Sequence, residues 1–405
     1  MGEADWVTHV IWWQVYPLGF TGAWPGHGDR TDGHRLRRLT KWLDYAVDLG
    51  ASGLALGPIF AAETHGYDTV DHFRIDSRLG DDADFDALVA AAHDRGLRVL
   101  LDGVFNHVGR GHPAFRSPDT ASWFVPAGDD FATFEGHGGL VALNHREPAV
   151  VDLVADVMNH WLSRGADGWR LDAAYAVPTQ FWATVLPRVR ERHPDAYIVG
   201  EVIHGDYPDF VNRSKVDSVT QYELWKAIWS ALNEGNLFEL DHALGRHNTF
   251  LETFAPLTFL GNHDVTRLAS RLTDQRDVAL ALAVLMTVGG TPSVYAGDEQ
   301  GFTGIKEDRE HGDDAVRPPF PEQPSELAPY GWPTFRLHQD LIGVRRRHPW
   351  LHRARTRTVQ LANQQYAYEV SDGRQRLLVC LNVSNESAEV TAGVRLEPHS
   401  YRIVE

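Results

Sequence analysis

The sequence predicts an α/β protein, a (β/α)8 TIM barrel with a short insertion after strand 3 and a small C-terminal all-β domain. Short apolar runs alternate with amphipathic helical stretches over roughly 350 residues. Beyond them, only short strand-like runs separated by turn residues remain. We therefore divide the chain into a barrel over residues 1–350, with the insertion at about 103–146, and a β-sandwich-like domain over 351–405.

Eight apolar runs are the candidate barrel strands. They are Val10–Val15, Ser52–Leu56, Leu97–Val104, Gly168–Leu171, Tyr197–Val202, Val216–Thr220, Leu257–Leu260 and Pro292–Tyr295. An open doubly wound sheet is the alternative arrangement for such runs. No run is followed by the GxGxxG pattern that dinucleotide-binding sheets carry, which favours the closed barrel.

Helices are predicted between the strands, where apolar residues recur at three- and four-residue spacing. The clearest are Leu36–Leu49, Phe85–His93, a helix whose first turn contains Pro148, Gln180–Arg192 and Asp277–Val288. The stretch Gly103–Arg146 shows neither the helical nor the strand pattern of apolar residues, and it is far longer than an ordinary loop. Because such long loops are often functional, we expect this insertion to lie beside the active site.

Four short runs predict the strands of the C-terminal domain. They are Val359–Tyr368, Leu377–Asn382, Ala388–Val394 and Tyr401–Val404. Turn residues such as Asp372-Gly373 separate them, as is typical of an antiparallel sheet.

The charge and composition exclude several kinds of partner. A net charge of −17 argues against nucleic acid, an anionic membrane or a phosphorylated substrate, and is compatible with a neutral oligosaccharide. The single cysteine, Cys380, cannot form an internal disulfide, which fits a reducing compartment. The acidic N-terminus lacks the features of a signal peptide, and no apolar run is long enough to span a membrane. We expect a cytoplasmic protein.

Polar side chains follow four of the predicted strands. They are Asp102, Asn106, His107, Arg170, Asp172, Glu201, Asn262, His263 and Asp264. Because the carboxyl ends of all barrel strands meet at one mouth, we expect these side chains to converge there.

Two of these positions carry a specific expectation about charge. Arg170 and Asp172 are two residues apart, so on a strand they point to the same side, and the arginine would keep the carboxylate ionised as a nucleophile requires. Glu201 leaves an apolar strand, which would raise its pKa toward that of a general acid. The alternative is that Arg170 and Asp172 form a structural ion pair.

The motifs around these residues resemble the four conserved sequence regions of glycoside hydrolase family 13, the α-amylase family, and occur in the same order. They are Asp102-Gly-Val-Phe-Asn106-His107, Gly168-Trp-Arg170-Leu-Asp172, Gly200-Glu201-Val202 and Asn262-His263-Asp264. Gly66-Tyr67-Asp68 and the segment Gly290–Glu299 extend the resemblance.

The resemblance implies a retaining glycosidase. Asp172 matches the nucleophile, Glu201 the acid/base and Asp264 the carboxylate that stabilises the transition state. The implied reaction passes through a covalent glycosyl-enzyme that water hydrolyses. A sugar hydroxyl in place of water would make the enzyme a transglycosylase, which stays open, as does a non-catalytic amylase-like binding protein.

Substrate-binding roles are implied for six further residues. Arg170 matches the residue that orients the nucleophile, and in the family the loop that holds Arg317 borders the cleft. His107 and His263 match the pair that grips the reacting sugar, and Tyr67 the ring beneath it. Asp68 is similar to the aspartate with which exo-acting α-glucosidases hold a terminal glucose; a structural hydrogen bond within its loop is the alternative.

No cofactor is expected. Asn106 matches a calcium ligand of many amylases, but the stretch after Asp172 lacks the histidine that those sites also use, so calcium stays only a possibility. The reduced insertion and the absent signal peptide resemble intracellular neopullulanases and cyclomaltodextrinases, which usually carry an N-terminal β domain that is not seen here. We therefore expect malto-oligosaccharides or cyclic maltodextrins as substrates, and leave open a homodimer.

Overall fold

The computed structural model describes residues 3–23, 31–309 and 311–405, and in it the predicted barrel is confirmed. Its eight strands are β1 (Trp12–Val15), β2 (Gly53–Leu56), β3 (Arg98–Gly103), β4 (Gly168–Leu171), β5 (Tyr197–Gly200), β6 (Ser218–Val219), β7 (Leu257–Phe259) and β8 (Thr291–Tyr295). They are parallel and pair in the order β6-β5-β4-β3-β2-β1-β8-β7, and a parallel bridge between Thr220 and Leu257 joins the two edges.

Helices surround the barrel. The principal ones are α1 (Leu43–Leu49), α2 (Asp82–His93), α3 (Pro148–Ser163), α4 (Thr179–Arg192), α5 (Tyr207–Ser214), α6 (Tyr222–Glu234), α7 (Leu237–Phe250), α8 (Val278–Thr287) and α9 (Trp332–Arg347). The predicted helix Leu36–Leu49 is wrong in one respect, because a short helix Leu36–Thr40 precedes α1 and the chain turns between them. At this turn the Trp42 ring enters the core, 6.4 Å from the Trp13 ring.

The end of the barrel opposite the cleft is filled by large aromatic side chains. Trp12 on β1 and Tyr197 on β5 are fully buried, and their rings stack with centroids 6.2 Å apart. Gly53 on β2 makes room for this packing, because a Cβ atom there would lie 2.3 Å from the Trp12 ring. The barrel is therefore a packed core that leaves its carboxyl-terminal mouth as the place for a site.

The predicted insertion after β3 is a compact subdomain. Its edges are held by an antiparallel pair, His107–Gly109 with Leu140–Ala142. Phe115, Phe124 and Phe131 pack edge to face inside it, with ring centroids 5.1–5.9 Å apart. This small core fixes the insertion over one side of the barrel mouth.

The C-terminal domain is all-β, as predicted, and its main sheet is antiparallel. Its strands are β9 (Arg355–Leu361), β10 (Gln365–Ser371), β11 (Arg376–Asn382), β12 (Ala388–Thr391), β13 (Val394–Leu396) and β14 (Ser400–Val404), with β9-β10-β11-β14 forming one sheet and β12-β13 a separate hairpin. The single strands predicted at Val359–Tyr368 and Ala388–Val394 are wrong, because each contains a turn. Gly393, with φ of +77°, supplies the left-handed residue of the second turn.

The sheet packs against the helices of the barrel through paired polar groups. The hydroxyl of Tyr366 on β10 donates to Asp241 of α7 at 2.8 Å, and Tyr368 lies 3.1 Å from the Thr287 hydroxyl of α8. The free Cys380 is buried in β11. No helix among the described residues has both the length and the apolar character needed to cross a membrane.

Candidate active site

A cleft of about 830 Å³ opens at the carboxyl-terminal mouth of the barrel. Three residues were predicted to act in catalysis and six to bind substrate. Six of these nine residues line the cleft: Tyr67, His107, Asp172, Glu201, Asp264 and Arg317. The other three, Asp68, Arg170 and His263, are buried behind the wall. The structure thus brings the three predicted carboxylates to one cleft, as expected for strands that end at a common mouth.

Ala173, the residue directly after Asp172, connects the end of β4 to the Glu201 carboxylate. Ala173 has φ of +44°, a left-handed conformation that L residues other than glycine rarely adopt. Its backbone N–H donates to Glu201 Oε2 at 2.9 Å. The strained backbone directly after Asp172 therefore fixes the Glu201 carboxylate beside it.

Two further groups hold the other oxygen of Glu201. The Tyr222 hydroxyl donates to Glu201 Oε1 at 3.2 Å, and Asn262 Nδ2 in turn donates to that hydroxyl at 2.9 Å. Arg170 Nη2 lies 2.9 Å from the same oxygen. Glu201 is therefore held at both oxygens before any substrate is considered.

Arg170 pairs with Asp172 as expected, but its nearer partner is Asp102. Arg170 Nη1 lies 2.7 Å from both oxygens of the fully buried Asp102, and only 3.4 Å from Asp172 Oδ1. The parallel register of β3 and β4 places Arg170 directly opposite Asp102, so this carboxylate reaches the guanidinium first. Arg170 is a shared cation beneath Asp102, Asp172 and Glu201.

Burial therefore dominates the ionisation of Asp172. Burial first and the neighbouring Glu201 carboxylate second raise the pKa of Asp172 well above its ordinary value, and Arg170 offsets them only in part. Arg170 is thus the cation that favours the ionised form of Asp172, the form in which a carboxylate attacks as a nucleophile.

Asp264 has the opposite environment. Burial works against its ionisation, but the neighbouring His263, Arg317 and Arg170 together lower the pKa of its carboxyl below the ordinary value. Arg317 Nη2 donates to Asp264 Oδ1 at 2.8 Å, and Arg317 Nε donates to the His263 carbonyl at 2.9 Å. With 4 % of its side chain exposed, Arg317 positions Asp264, and the contact with sugar that we expected of it stays a prediction.

The predicted sugar-binding side of the cleft is built from neutral rings. The rings of Tyr67 and His263 stack with centroids 5.5 Å apart, and the Tyr67 hydroxyl contacts both His263 Nε2 and Asp102. Burial lowers the pKa of His263 to about 3 and that of His107 to about 4. Both imidazoles are therefore uncharged near neutral pH.

Asp68 faces its own loop. Its Oδ2 accepts a hydrogen bond from the Thr64 hydroxyl at 2.5 Å and lies 3.9 Å from His65 Nε2. Thr64 and His65 line the cleft, but Asp68 does not. The geometry fits the structural alternative better than a direct contact with a terminal glucose.

Sequence reasoning missed several residues that line the cleft. Among them are Phe134, Glu135, Tyr175, Ile203, Tyr222 and Trp225. Tyr175 and Ile203 stand three and two residues after the predicted carboxylates, so position along the loops could have found them. Phe134 and Glu135 come from the insertion, whose path no periodicity describes.

Asn106, which matches a calcium ligand of many amylases, has its side chain engaged within its own loop. Its Nδ2 lies 3.1 Å from His107 Nδ1. Within the described residues, one group of His, Cys, Asp or Glu has ligand atoms close enough for a metal ion, and it consists of His34, Asp81 and Asp84. The last two form the capping box of α2, away from the cleft. That the enzyme needs no calcium stays a prediction, and no step of the reaction is assigned to a metal ion.

Comparison with known proteins places this architecture among carbohydrate-active enzymes. The family model described as "Alpha amylase, catalytic domain" matches residues 14–129 and 119–323. A cyclomaltodextrinase of Geobacillus thermopakistaniensis (strain MAS1) is 31% identical over 95% of this chain and 71% of its own length. An intracellular maltogenic amylase of Bacillus subtilis is 30% identical over 74% of this chain, which spans little more than half, 57%, of that relative.

Two solved structures resemble the chain over nearly its whole length. The cyclic α-maltosyl-(1→6)-maltose hydrolase of Arthrobacter globiformis superposes with a TM-score of 0.87 at 28% identity, covering 99% of both chains. The debranching enzyme of Nostoc punctiforme gives a TM-score of 0.82 at 26% identity, covering 100% of this chain and 99% of the other.

Proposed function

The chain belongs to the α-amylase family of glycoside hydrolases, and from this premise we propose that it hydrolyses α-glucosidic bonds of malto-oligosaccharides or cyclic maltodextrins with retention of configuration. The observation that carries the proposal is the meeting of Asp172, Glu201 and Asp264 in one cleft. Relatives named cyclomaltodextrinase, maltogenic amylase and cyclic α-maltosyl-(1→6)-maltose hydrolase support the substrate class.

In the first step, an oxygen of Asp172 attacks the anomeric carbon while the bond to the leaving oxygen breaks. Glu201 gives its proton to that oxygen, so the leaving sugar departs as a neutral alcohol. The backbone N–H of Ala173 and the Tyr222 hydroxyl hold Glu201 in place for this transfer.

In the second step, Glu201 removes a proton from water, and the resulting hydroxide attacks the anomeric carbon and releases Asp172. Both steps develop positive charge on the sugar ring. Asp264, whose carboxylate accepts a hydrogen bond from Arg317, lies in the same cleft and stabilises that charge. Neutral His107 and Tyr67 bind the reacting sugar without adding opposing charge.

A panel of linear, branched and cyclic α-glucans, including cyclic α-maltosyl-(1→6)-maltose, tests the substrate class when the products are separated by size. The anomer formed first, read by NMR, tests retention. We expect an α-anomer and shorter saccharides. A β-anomer would overturn the retaining scheme, and longer saccharides at high substrate concentration would favour transglycosylation over hydrolysis.

Substitution tests the roles. Glu201→Gln should lower kcat on an oligosaccharide by about a thousandfold, whereas the exposed control Glu234→Gln should not change it. Asp172→Ala should be inactive, and azide should restore turnover and yield a β-glycosyl azide. Unchanged turnover of either active-site variant would contradict its assignment and favour a non-catalytic protein.

We also propose a cytoplasmic location. The word "intracellular" in the name of the Bacillus subtilis relative supports it. Fractionation of the source cells, followed by an immunoblot for the protein, would test the location, and recovery outside the cytoplasmic fraction would contradict it.

A further inference from the structure

The tip of the insertion is a tight turn with an unusual backbone. Glu135 has φ of +50° and ψ of +29°, and the next residue, Gly136, has φ of +81°. Glycine adopts this left-handed conformation freely, whereas glutamate does so at a cost. A non-glycine residue held in this conformation at a cleft wall points to a use for its side chain.

Both side chains at the tip contact the wall of the cleft. The Phe134 ring stacks on His107, with centroids 4.8 Å apart and planes 17° from parallel. Glu135 Oε1 accepts a hydrogen bond of 2.7 Å from the Tyr175 hydroxyl. The tip is therefore attached to the loop after β3 on one side and to the loop after β4 on the other. Within the described residues, no donor is bonded to the second oxygen, Glu135 Oε2.

The position of Tyr175 shows which part of a substrate Glu135 would meet. Tyr67, His107 and His263, the expected holders of the reacting sugar, follow β2, β3 and β7. Tyr175 lies after β4, and its ring is 6.0 Å from that of His204, which follows β5. This is the side of the barrel from which Glu201 would protonate the leaving oxygen.

We infer that Glu135 binds hydroxyl groups of the leaving sugar and that Tyr175 positions its carboxylate. This inference rests on the proposed glycosidase function. A carboxylate accepts strong hydrogen bonds from sugar hydroxyls, and one oxygen fixed by Tyr175 leaves the other for the substrate. The insertion thus supplies a contact on which recognition of a sugar leaving group depends.

The test compares two substrates that differ in the leaving group. Cleavage of maltotetraose releases a sugar. Cleavage of 4-nitrophenyl α-maltoside releases 4-nitrophenol, which carries no sugar hydroxyls for Glu135 to bind. We expect Glu135→Ala to lower the ratio of kcat/KM for maltotetraose to kcat/KM for the aryl maltoside about tenfold, the factor expected for one hydrogen bond to a charged group. Asp129→Asn, an exposed change in the same insertion, should leave the ratio unchanged.

Further variants separate contact from support. Glu135→Gln keeps one acceptor oxygen and the length of the side chain but loses the charge and the second acceptor, so it should give a ratio between those of the wild type and Glu135→Ala. Tyr175→Phe should lower it, chiefly through KM for maltotetraose, and should add little in the Glu135→Ala background, because the two residues act as a pair. Melting temperatures of all variants show whether each is folded.

The outcomes are distinct. An equal loss on both substrates, or an unchanged ratio in Glu135→Ala and Tyr175→Phe, would overturn the inference and leave the glycosidase function intact. A wild-type enzyme that cleaves neither substrate would overturn both proposals. A selective loss on maltotetraose in both variants, spared in Asp129→Asn, would support the inference.

Discussion

Replacing Arg317 by glutamine tests whether the third carboxylate works through its position. Arg317 Nη2 donates to Asp264 Oδ1 at 2.8 Å and lies 3.0 Å from Asp313 Oδ2, while its Nε donates to the His263 carbonyl. A hydrogen bond to a charged group contributes about 1.5–3 kcal/mol. If that contribution is needed in the transition state, kcat/KM should fall by a factor of roughly 10 to 150.

The pH dependence distinguishes loss of position from loss of charge. Arg317 is one of the groups that lower the pKa of Asp264, so its removal raises that pKa toward the ordinary value of 3.8. Asp264 remains ionised at neutral pH even then. The fall in kcat/KM at pH 7 is therefore due to the altered position of Asp264. The altered pKa of Asp264 affects activity only in the acidic range, where the variant loses activity at a higher pH than the wild type does.

The assay is kcat/KM on maltotriose from pH 4 to pH 8, with melting temperatures to confirm folding. Arg317→Lys keeps the charge but cannot bond His263 and Asp264 together, so it should also lose activity. Arg374→Gln, at an exposed turn, is the matched control and should behave as the wild type. A folded Arg317→Gln enzyme within threefold of wild-type activity at pH 7 would refute the reasoning.

Three further outcomes follow from buried polar groups. Tyr222→Phe removes the hydroxyl that donates to Glu201 and should lower kcat about tenfold with little change in melting temperature; an unchanged kcat would contradict this. Arg345→Met leaves the carbonyls of Met286 and Val288 at the end of α8 without their donor and should lower the free energy of unfolding by about 3 kcal/mol, measured in urea, whereas the exposed control Arg347→Met should lower it by less than about 1 kcal/mol. Burial raises the pKa of Glu299 from 4.5 to about 7, so the folded state keeps a proton that the unfolded state loses, and the unfolding free energy should fall as pH rises between these values. Glu299→Gln should reduce that fall; an equally steep profile would contradict the account.

The sequence predicted best what depends on local pattern. The strands around Asp172 and Glu201 are short apolar runs, and the topology of a closed barrel then places their last residues at one mouth. The turn before β10, at residues 362–364, was missed because it contains neither glycine nor proline, the strongest sequence signals of a turn. The spacing of apolar residues alone does not reveal a turn that lacks glycine and proline.

The partners of Arg170 and Glu135 depend on register and backbone, which sequence spacing does not give. Arg170 was expected to pair with Asp172, two residues away on the same strand. Asp102, directly opposite on β3, is nearer because the parallel register brings it there. Glu135 reaches Tyr175 only through a left-handed turn, and a glutamate gives no sequence signal for that conformation.

The balance of charge in the cleft accounts for the chemistry more directly than any single pair. Asp102, Asp172, Glu201 and Asp264 surround two guanidinium groups, those of Arg170 and Arg317. If all four carboxylates are ionised, they outnumber the two guanidinium groups by two negative charges in a partly buried site. A fifth carboxylate, that of Asp313, also contacts Arg317, and Lys306 Nζ balances it at 3.2 Å. The remaining negative charge favours the positive sugar ring of the transition state over the neutral substrate, which is the differential binding that catalysis requires.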